Sequence, residues 1–363
     1  MTTGSSSTTY LLAGGGTAGH VNPLLAVADG LRARSADDVV LVLGTREGLE
    51  SRLVPQRGYE LLIVDKVPFP RRPDLAAARF PVRFSRAVRQ VRRYIRERHV
   101  DVVVGFGGYA SAPAYVAARR EHVPFIVHEA NAKPGLANVL GARRAAATGV
   151  VFEGTPLARA RVVGMPLRRE IVDLDRSGRR AEAGEHFGLD PARPTLLVFG
   201  GSLGARRLNA AMDGAWSAIV DAGWQVLHAA GERDEIVDPG DARYRVVPYI
   251  DRMDLAFALA DVVLSRAGAA TVSEISALSL PAVYVPYAVG NGEQALNAAA
   301  AVRAGAARVI PDGELTAARL RSELVPLLGD AEALSRMTAA SAAVGTREGT
   351  ENVIALIDEA LAR

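Results

Sequence analysis

A short apolar run enters a glycine-rich turn and then a helical stretch at Leu11–Gly19, and the same order returns at Leu196–Gly204. This recurrence constrains the fold more than any other feature of the chain. Apolar runs of four or five residues between helical patterns read as strands covered on both faces, the mark of a parallel sheet built from βαβ units. Tyr10–Ala13, Val39–Leu43, Leu61–Val64, Val102–Val104, Phe125–Val127 and Val150–Phe152 fit such strands, with helical patterns such as Pro23–Arg34 and Phe84–Arg98 between them. The pattern restarts at Thr195–Phe199 and runs through Gln225–Leu227, Tyr244–Val247, Val262–Leu264 and Ala282–Val285. Gly164–Pro194, rich in Arg, Gly and Pro, reads as a linker leading into a first helix, and Glu351–Leu361 as a last helix able to pack on either half. The economical reading is two doubly wound α/β domains facing a cleft, with ligands at the carboxyl ends of the strands. The expected domains are residues 1–163, 164–345 and a terminal helix at 346–363.

A length of 363 residues suits two domains at roughly 150 residues each. With 49% hydrophobic and 23% charged residues, the composition excludes a disordered chain. The absence of cysteine removes disulfides, thiolate metal sites and a thiol nucleophile. The N-terminus has no basic region or apolar core of a signal peptide. The charge-free runs Met1–Ala28, Val102–Ala118 and Ile275–Gly292 are broken by Gly, Ser, Pro or His and read as pieces of a soluble core. The net charge of +3 is a cancellation: residues 1–163 carry 23 Arg and Lys against 13 Asp and Glu, while the remainder is net −7. Arg71–His99 alone holds 10 Arg against Asp74 and Glu97.

Gly14-Gly15-Gly16-Thr17-Ala18-Gly19 satisfies the GxGxxG pattern after a strand and before a helix, where backbone N–H groups and the helix dipole favour an anion. A dinucleotide fingerprint also needs an acidic residue ending the second strand. That strand ends Leu43-Gly44-Thr45-Arg46, with no carboxylate, although the Arg would suit NADP. Gly105–Ser111 and Gly200–Ala205 form two further strand-to-helix loops, the latter with Ser202 placed for a phosphate. Ser265–Glu274 follows a strand, and Glu274 is either the capping-box partner of Thr271 or a bidentate ligand for ribose hydroxyls. Gln294 and Asn297 share a helix face, and neutral amides suit sugar hydroxyls. Asp173-Leu174-Asp175 lies in the linker and reads as a solvated pair, so no metal site is expected.

Together with His128-Glu129-Ala130-Asn131 and Gly164–Arg168 (GMPLR), these motifs resemble the MurG family over roughly Tyr10 to Ala343. The resemblance implies the GT-B architecture and an inverting N-acetylglucosaminyltransferase that converts lipid I to lipid II in peptidoglycan synthesis. It implies that Thr17, Ala18, Gly19, Asn131, Arg168, Ser202, Ile250, Ala269, Ala270, Thr271, Val272, Ser273, Glu274 and Gln294 contact UDP-N-acetylglucosamine. The Ile250 backbone would serve uracil, Glu274 the ribose and Gln294 the sugar. The family often has Gln-Gln where this chain has Glu293-Gln294, which leaves Glu293 without an assigned role.

No cofactor is expected, because N–H groups and helix dipoles can stabilise a leaving diphosphate. His20 is the first candidate base and Glu129 the second. Arg71, Arg72, Arg79, Arg83 and Arg86 interleave with Leu75, Phe80, Val82 and Phe84, which suits docking on an anionic leaflet. The resemblance implies a peripheral protein on the cytoplasmic face of the membrane. No nucleic-acid-binding motif accompanies the patch. The rival readings are a UDP-N-acetylglucosamine 2-epimerase of the same fold and an NADP-dependent oxidoreductase.

Overall fold

The computed structural model describes residues 7–70, 72, 75–201, 204–231, 238–287 and 292–363. It contains two compact units, Met1–Arg168 with Arg347–Arg363, and Arg169–Thr346.

The first unit holds β1 (Thr9–Ala13), β2 (Val39–Gly44), β3 (Glu60–Ile63), β4 (Val102–Gly105), β5 (Phe125–Glu129), β6 (Ala147–Val150) and β7 (Ala160–Val162). They form one sheet in the order β3-β2-β1-β4-β5-β6-β7, and every pairing is parallel. β1, β4 and β5 are buried along their whole length, which is why they read as continuous apolar runs. Helices α1 (Ala18–Arg34), α2 (Glu50–Gln56), α3 (Leu75–Glu97), α4 (Ser111–Arg120) and α5 (Leu136–Ala142) connect them. Two apolar clusters fill the unit, one around Leu11, Val91, Val103 and Tyr115 and one around Leu12, Leu24, Val104 and Phe106.

The second unit opens with α6 (Arg169–Val172) and α7 (Arg180–Phe187). Its sheet runs β10-β9-β8-β11-β12-β13, from β8 (Thr195–Phe199), β9 (Gln225–Ala229), β10 (Tyr244–Val247), β11 (Val262–Ser265), β12 (Ala282–Tyr284) and β13 (Ala307–Val309). All of its pairings are again parallel. Helices α8 (Arg206–Asp213), α9 (Trp216–Asp221), α10 (Met253–Leu259), α11 (Ala269–Ala277), α12 (Glu293–Arg303), α13 (Ala317–Leu328) and α14 (Ala331–Val344) complete it. The last helix, α15 (Gly349–Leu361), returns to the first unit and lies along α1.

Three details depart from expectation. β6 lies at 147–150 rather than at Val150–Phe152, because the less apolar Ala-Thr-Gly segment is the part that pairs with β5. β7 and β13 are partly exposed edge strands without an apolar signature. The stretch read as a linker leading into a first helix holds two helices, α6 and α7.

In both sheets the strand order reverses direction beside the first strand of the unit, between β1 and β4 and between β8 and β11. Such switch points are where doubly wound sheets bind ligands. The motif loops at 14–19, 105–111, 200–205 and 265–271 leave these four strands.

Candidate functional site

In the first unit the two glycine loops interlock. The Gly14 N–H donates to the Leu43 carbonyl at 3.1 Å, and the Phe106 N–H to the Ala13 carbonyl at 2.8 Å. Gly108 has φ +80°, and a Cβ there would lie 2.4 Å from the Gly15 oxygen, so only glycine fits.

Thr17 is the N-cap of α1 but makes no side-chain cap, and the first turn holds no acidic residue. The His20 N–H donates to the Thr17 carbonyl at 3.1 Å, and the N–H groups of Ala18 and Gly19 are left to solvent or ligand. His20 sits in the same turn, with Nδ1 at 3.2 Å from the Gly15 carbonyl and 3.2 Å from Thr17 Oγ1. A carbonyl oxygen only accepts, so Nδ1 carries the proton and Nε2 keeps a lone pair. That nitrogen is 3.0 Å from where a Cβ on Gly107 would stand, so the second loop's glycine makes room for the ring.

Glu129 is 3% exposed. Its Oε1 accepts from the Asn131 N–H at 2.9 Å, and its Oε2 from the Gly135 N–H at 2.9 Å and Asn138 Nδ2 at 2.9 Å. The Tyr115 hydroxyl in turn donates to Asn138 Oδ1 at 2.8 Å. The carboxylate thus holds the loop that carries Asn131. Tyr115 and Asn138 were absent from the sequence reading, because partners 23 residues apart leave no local pattern.

Neighbouring His128 donates through Nε2 to the Gly164 carbonyl at 3.4 Å. Burial pushes its pKa down from 6.5 to about 4, opposed by that backbone bond and aided by the nearby His20. His228 of the second unit, bridging the Tyr244 hydroxyl and Asn209 Oδ1, is pushed down by burial to about 4 as well. Both rings stay neutral in the fold while the unfolded chain protonates near pH 6.5. Their contribution to stability is complete above that pH and is lost as the pH falls toward 4. Each displacement corresponds to about 3 kcal/mol at most. Urea midpoints should fall between pH 6.5 and 4, and His128→Gln should flatten that fall. Equal slopes for the variant and the parent would refute this cause.

The sequence reading also missed Glu50. It is fully buried and accepts from the Gly16 N–H at 2.8 Å, the Thr45 N–H at 2.9 Å and the Thr45 hydroxyl at 2.8 Å. The acidic residue sought at the end of β2 does exist six residues beyond it, but it points beneath the glycine loop. The carboxylate takes the Gly16 N–H, so that donor is not open to a ligand, and the side chain does not stand where a ribose hydroxyl would need it.

In the second unit, α11 is capped by Gly268, with no side-chain cap and no acidic residue in its first turn. Thr271 is therefore the third helical residue, and the capping-box reading of Thr271 and Glu274 fails. Ala269, Ala270 and Thr271 offer first-turn N–H groups, with Val272, Ser273 and Glu274 following on the same helix.

Gln294 Oε1 accepts from the Ala267 N–H at 3.2 Å and the Tyr287 N–H at 2.9 Å. Fully buried Asn297 donates through Nδ2 to the Ala267 carbonyl at 3.3 Å. This pair clamps the loop before α11, and what Gln294 has left for a ligand is its amide N–H₂ group. Arg266 is fixed against Asp312 at 2.6 Å and the Val285 carbonyl at 3.0 Å. The Ile250 side chain is buried, so its backbone is what it can offer. Arg168 ends the first unit's main segment and is half-buried. Ser202 lies outside the described residues.

Asp175 accepts from the Ser177 hydroxyl at 2.7 Å and the Gly178 N–H at 3.1 Å, and the Gly178 bond, followed by Ser177, holds its pKa below the usual range. Asp173 pairs with Arg169 at 2.9 Å. Among the described residues, no three His, Cys, Asp or Glu side chains group to hold a metal ion.

Residues 10–150 match the glycosyltransferase family 28 N-terminal domain, and residues 195–353 the family 28 C-terminal domain. The chain belongs to glycosyltransferase family 28. It is 60% identical over 356 residues to the UDP-N-acetylglucosamine--N-acetylmuramyl-(pentapeptide) pyrophosphoryl-undecaprenol N-acetylglucosamine transferase of Clavibacter michiganensis subsp. michiganensis, covering 98% of this chain and 97% of that one. The transferase of the same name from Leifsonia xyli subsp. xyli is 57% identical over 350 residues, covering 96% and 98%. Among solved structures, the MurG of Acinetobacter baumannii superposes with a TM-score of 0.78 at 27% identity, covering 97% of this chain and 99% of that one. The chain is thus a GT-B glycosyltransferase of the MurG group within family 28. The fold alone would not separate it from the epimerase reading. A UDP-N-acetylglucosamine 2-epimerase from Listeria monocytogenes shares the fold with a TM-score of 0.63 at 14% identity.

Proposed function

We propose that this family 28 enzyme transfers N-acetylglucosamine from UDP-N-acetylglucosamine to the C4 hydroxyl of lipid I, undecaprenyl-diphospho-N-acetylmuramyl-pentapeptide, forming lipid II. The observation that carries this reading is end-to-end identity of up to 60% with transferases of that printed name. His20 is the base: the Gly15 carbonyl holds its proton on Nδ1, and Nε2 accepts the hydroxyl proton as the oxygen attacks the anomeric carbon. The bond to UDP breaks with inversion, and the leaving diphosphate takes the electron pair. First-turn N–H groups of α11 stabilise that charge without moving.

Glu129 is assigned to positioning rather than to proton transfer, since both its oxygens are occupied by N–H donors that hold the Asn131 loop. Thr17, Ala18, Gly19, Asn131 and Arg168 on the first unit contact the donor in this reading. On the second unit, Ser202 and Ala269–Ser273 serve the diphosphate, Ile250 the uracil, Glu274 the ribose and Gln294 the sugar. The deciding assay mixes the protein with UDP-N-acetylglucosamine and a lipid I analogue and scores UDP release. Release that requires the acceptor supports the proposal. Binding of NADPH in a fluorescence titration, without binding of the UDP-sugar, would overturn it.

The acceptor carries an anionic diphosphate on a lipid, and the first unit has a matching surface. Among the described residues no helix is long and apolar enough to cross a membrane. Phe80 and Phe84 on α3 are half-buried and stack at 5.4 Å beside Phe69. They line a groove of about 660 Å³ with Val116 and Leu140, bordered by Arg119, Arg120 and Arg144. Val82 is 63% exposed.

The basic stretch divides along its length. Arg92 and Arg96 both pair with Glu121, and Arg98 pairs with Glu60. The docking face we assign is therefore the first half of α3 with the groove's rim, on the cytoplasmic leaflet. The Leu75 side chain lies outside the description. Liposome co-sedimentation should rise with anionic lipid and fall with salt. Replacing Arg79, Arg83 and Arg86 by Glu should release the protein, since each basic charge near such a surface contributes about 1 kcal/mol. Sedimentation indifferent to lipid charge would refute the docking face.

A further inference from the structure

We propose that Glu50 is a positioning residue that fixes the proton on His20. Its carboxylate is the one fully buried acidic group beneath the first glycine loop among the described residues. It bridges two chain segments, taking the Gly16 N–H on one oxygen and the Thr45 N–H and hydroxyl on the other. Its surroundings are moulded to it: a Cβ on Gly15 would lie 2.2 Å from Oε1, one on Gly48 2.0 Å from Oε2, and one on Gly44 2.5 Å from Cγ.

Gly16, at φ +91°, and Gly15 form the peptide that Glu50 grips. The carbonyl of Gly15 is the acceptor for His20 Nδ1 at 3.2 Å. Glu50 holds the N–H of the Gly15–Gly16 peptide unit, and the oxygen of that same rigid, planar unit faces the imidazole. Releasing the N–H end frees the plane to rotate. The carbonyl then leaves Nδ1, and the ring becomes able to take the other tautomer, with the proton on Nε2, where it cannot act as a base.

The consequence for turnover rests on His20 being the base, while the consequence for the tautomer does not. ¹⁵N-histidine spectra, with His20 assigned from a His20→Ala sample, read the tautomer directly. In Glu50→Met the side chain keeps its length and offers no oxygen, so the Gly16 N–H is released. The Nδ1–H form, dominant in the parent, should give way to a mixture. Turnover should fall about ten- to a hundredfold, with KM for UDP-N-acetylglucosamine unchanged. Gly48→Ala displaces the same carboxylate from a site outside the loop and should act alike, which keeps the test open where Glu50→Met fails to fold. Thr45→Val removes a hydrogen bond from the far oxygen alone, so it should lower the melting temperature and leave the tautomer as it was. A folded Glu50→Met or Gly48→Ala protein with the parental His20 spectrum would overturn the inference. A parental turnover in His20→Ala would instead overturn the base assignment and leave the tautomer result to judge Glu50.

Discussion

Replacing His20 by alanine should lower turnover by about 10²- to 10⁴-fold, the usual contribution of a positioned general base. The affinity for UDP-N-acetylglucosamine, measured by calorimetry, should stay where it was. The side chain is half-exposed in the first turn of α1, so its removal leaves no buried cavity and the melting temperature should move little. The size of the effect follows from the geometry. With Nδ1 held on the Gly15 carbonyl, Nε2 is a lone pair fixed in direction, which water or a neighbouring carboxylate does not reproduce. Glu129, the other candidate, is buried with both oxygens occupied, so it cannot substitute without first breaking the Asn131 loop. Near-parental turnover with unchanged donor affinity would remove His20 from the role.

Ending the chain at residue 346 should leave the first unit unable to fold, although the truncation touches none of the proposed site residues. Val353, Leu356, Ile357 and Ala360 of α15 are buried in the cluster around Leu12, Leu24 and Phe106. Three large apolar side chains at about 2 kcal/mol each amount to about 6 kcal/mol, comparable to the whole stability of an ordinary domain. The fit is also specific. A Cβ on Gly30 of α1 would lie 2.8 Å from Thr350 Cγ2, and one on Gly349 would lie 2.1 Å from the Met165 oxygen. Asn352 Nδ2 donates to the Val163 carbonyl at 3.0 Å, and two exposed pairs, Arg34 with Asp358 and Arg161 with Glu359, add little. Gly30→Leu should reproduce a milder form of the defect by pushing α15 away. A truncated protein with parental circular dichroism and urea midpoint would refute this account.

Much of the fold is legible in the chain because its signals are local. A buried parallel strand needs a run of apolar residues, and Leu11–Ala13, Val102–Val104 and Leu196–Val198 supply it within three positions. A close backbone approach needs glycine, and Gly108, against the Gly15 oxygen, is where one occurs. Two strands lacked the signal: β7 and β13 lie at sheet edges, half in solvent, where an apolar run is not required. The candidate site divides in the same way. Its loops announce themselves through glycine and small residues, and the family's motifs name the residues along them. The contacts of Tyr115 with Asn138 and of Asn297 with the loop before α11 are invisible, because each reaches a segment more than 20 residues away.

The charge pattern shows the same division. The ten arginines of Arg71–His99 are evident from the sequence, yet Arg92, Arg96 and Arg98 pair with Glu121 and Glu60, which leaves the proposed docking face to the first half of α3. By itself, then, the sequence determined two doubly wound units, their four motif loops and the family. Those properties depend on the period of apolar residues and on backbone conformations that each residue carries with it. Only the tertiary structure decided that α15 completes the first unit, that Gly268 rather than Thr271 begins α11, and that the carboxylate near β2 turns inward beneath the glycine loop. Each of those depends on which distant groups meet when the core closes, and a buried polar group or an unpaired helix face takes whatever partner packing brings to it.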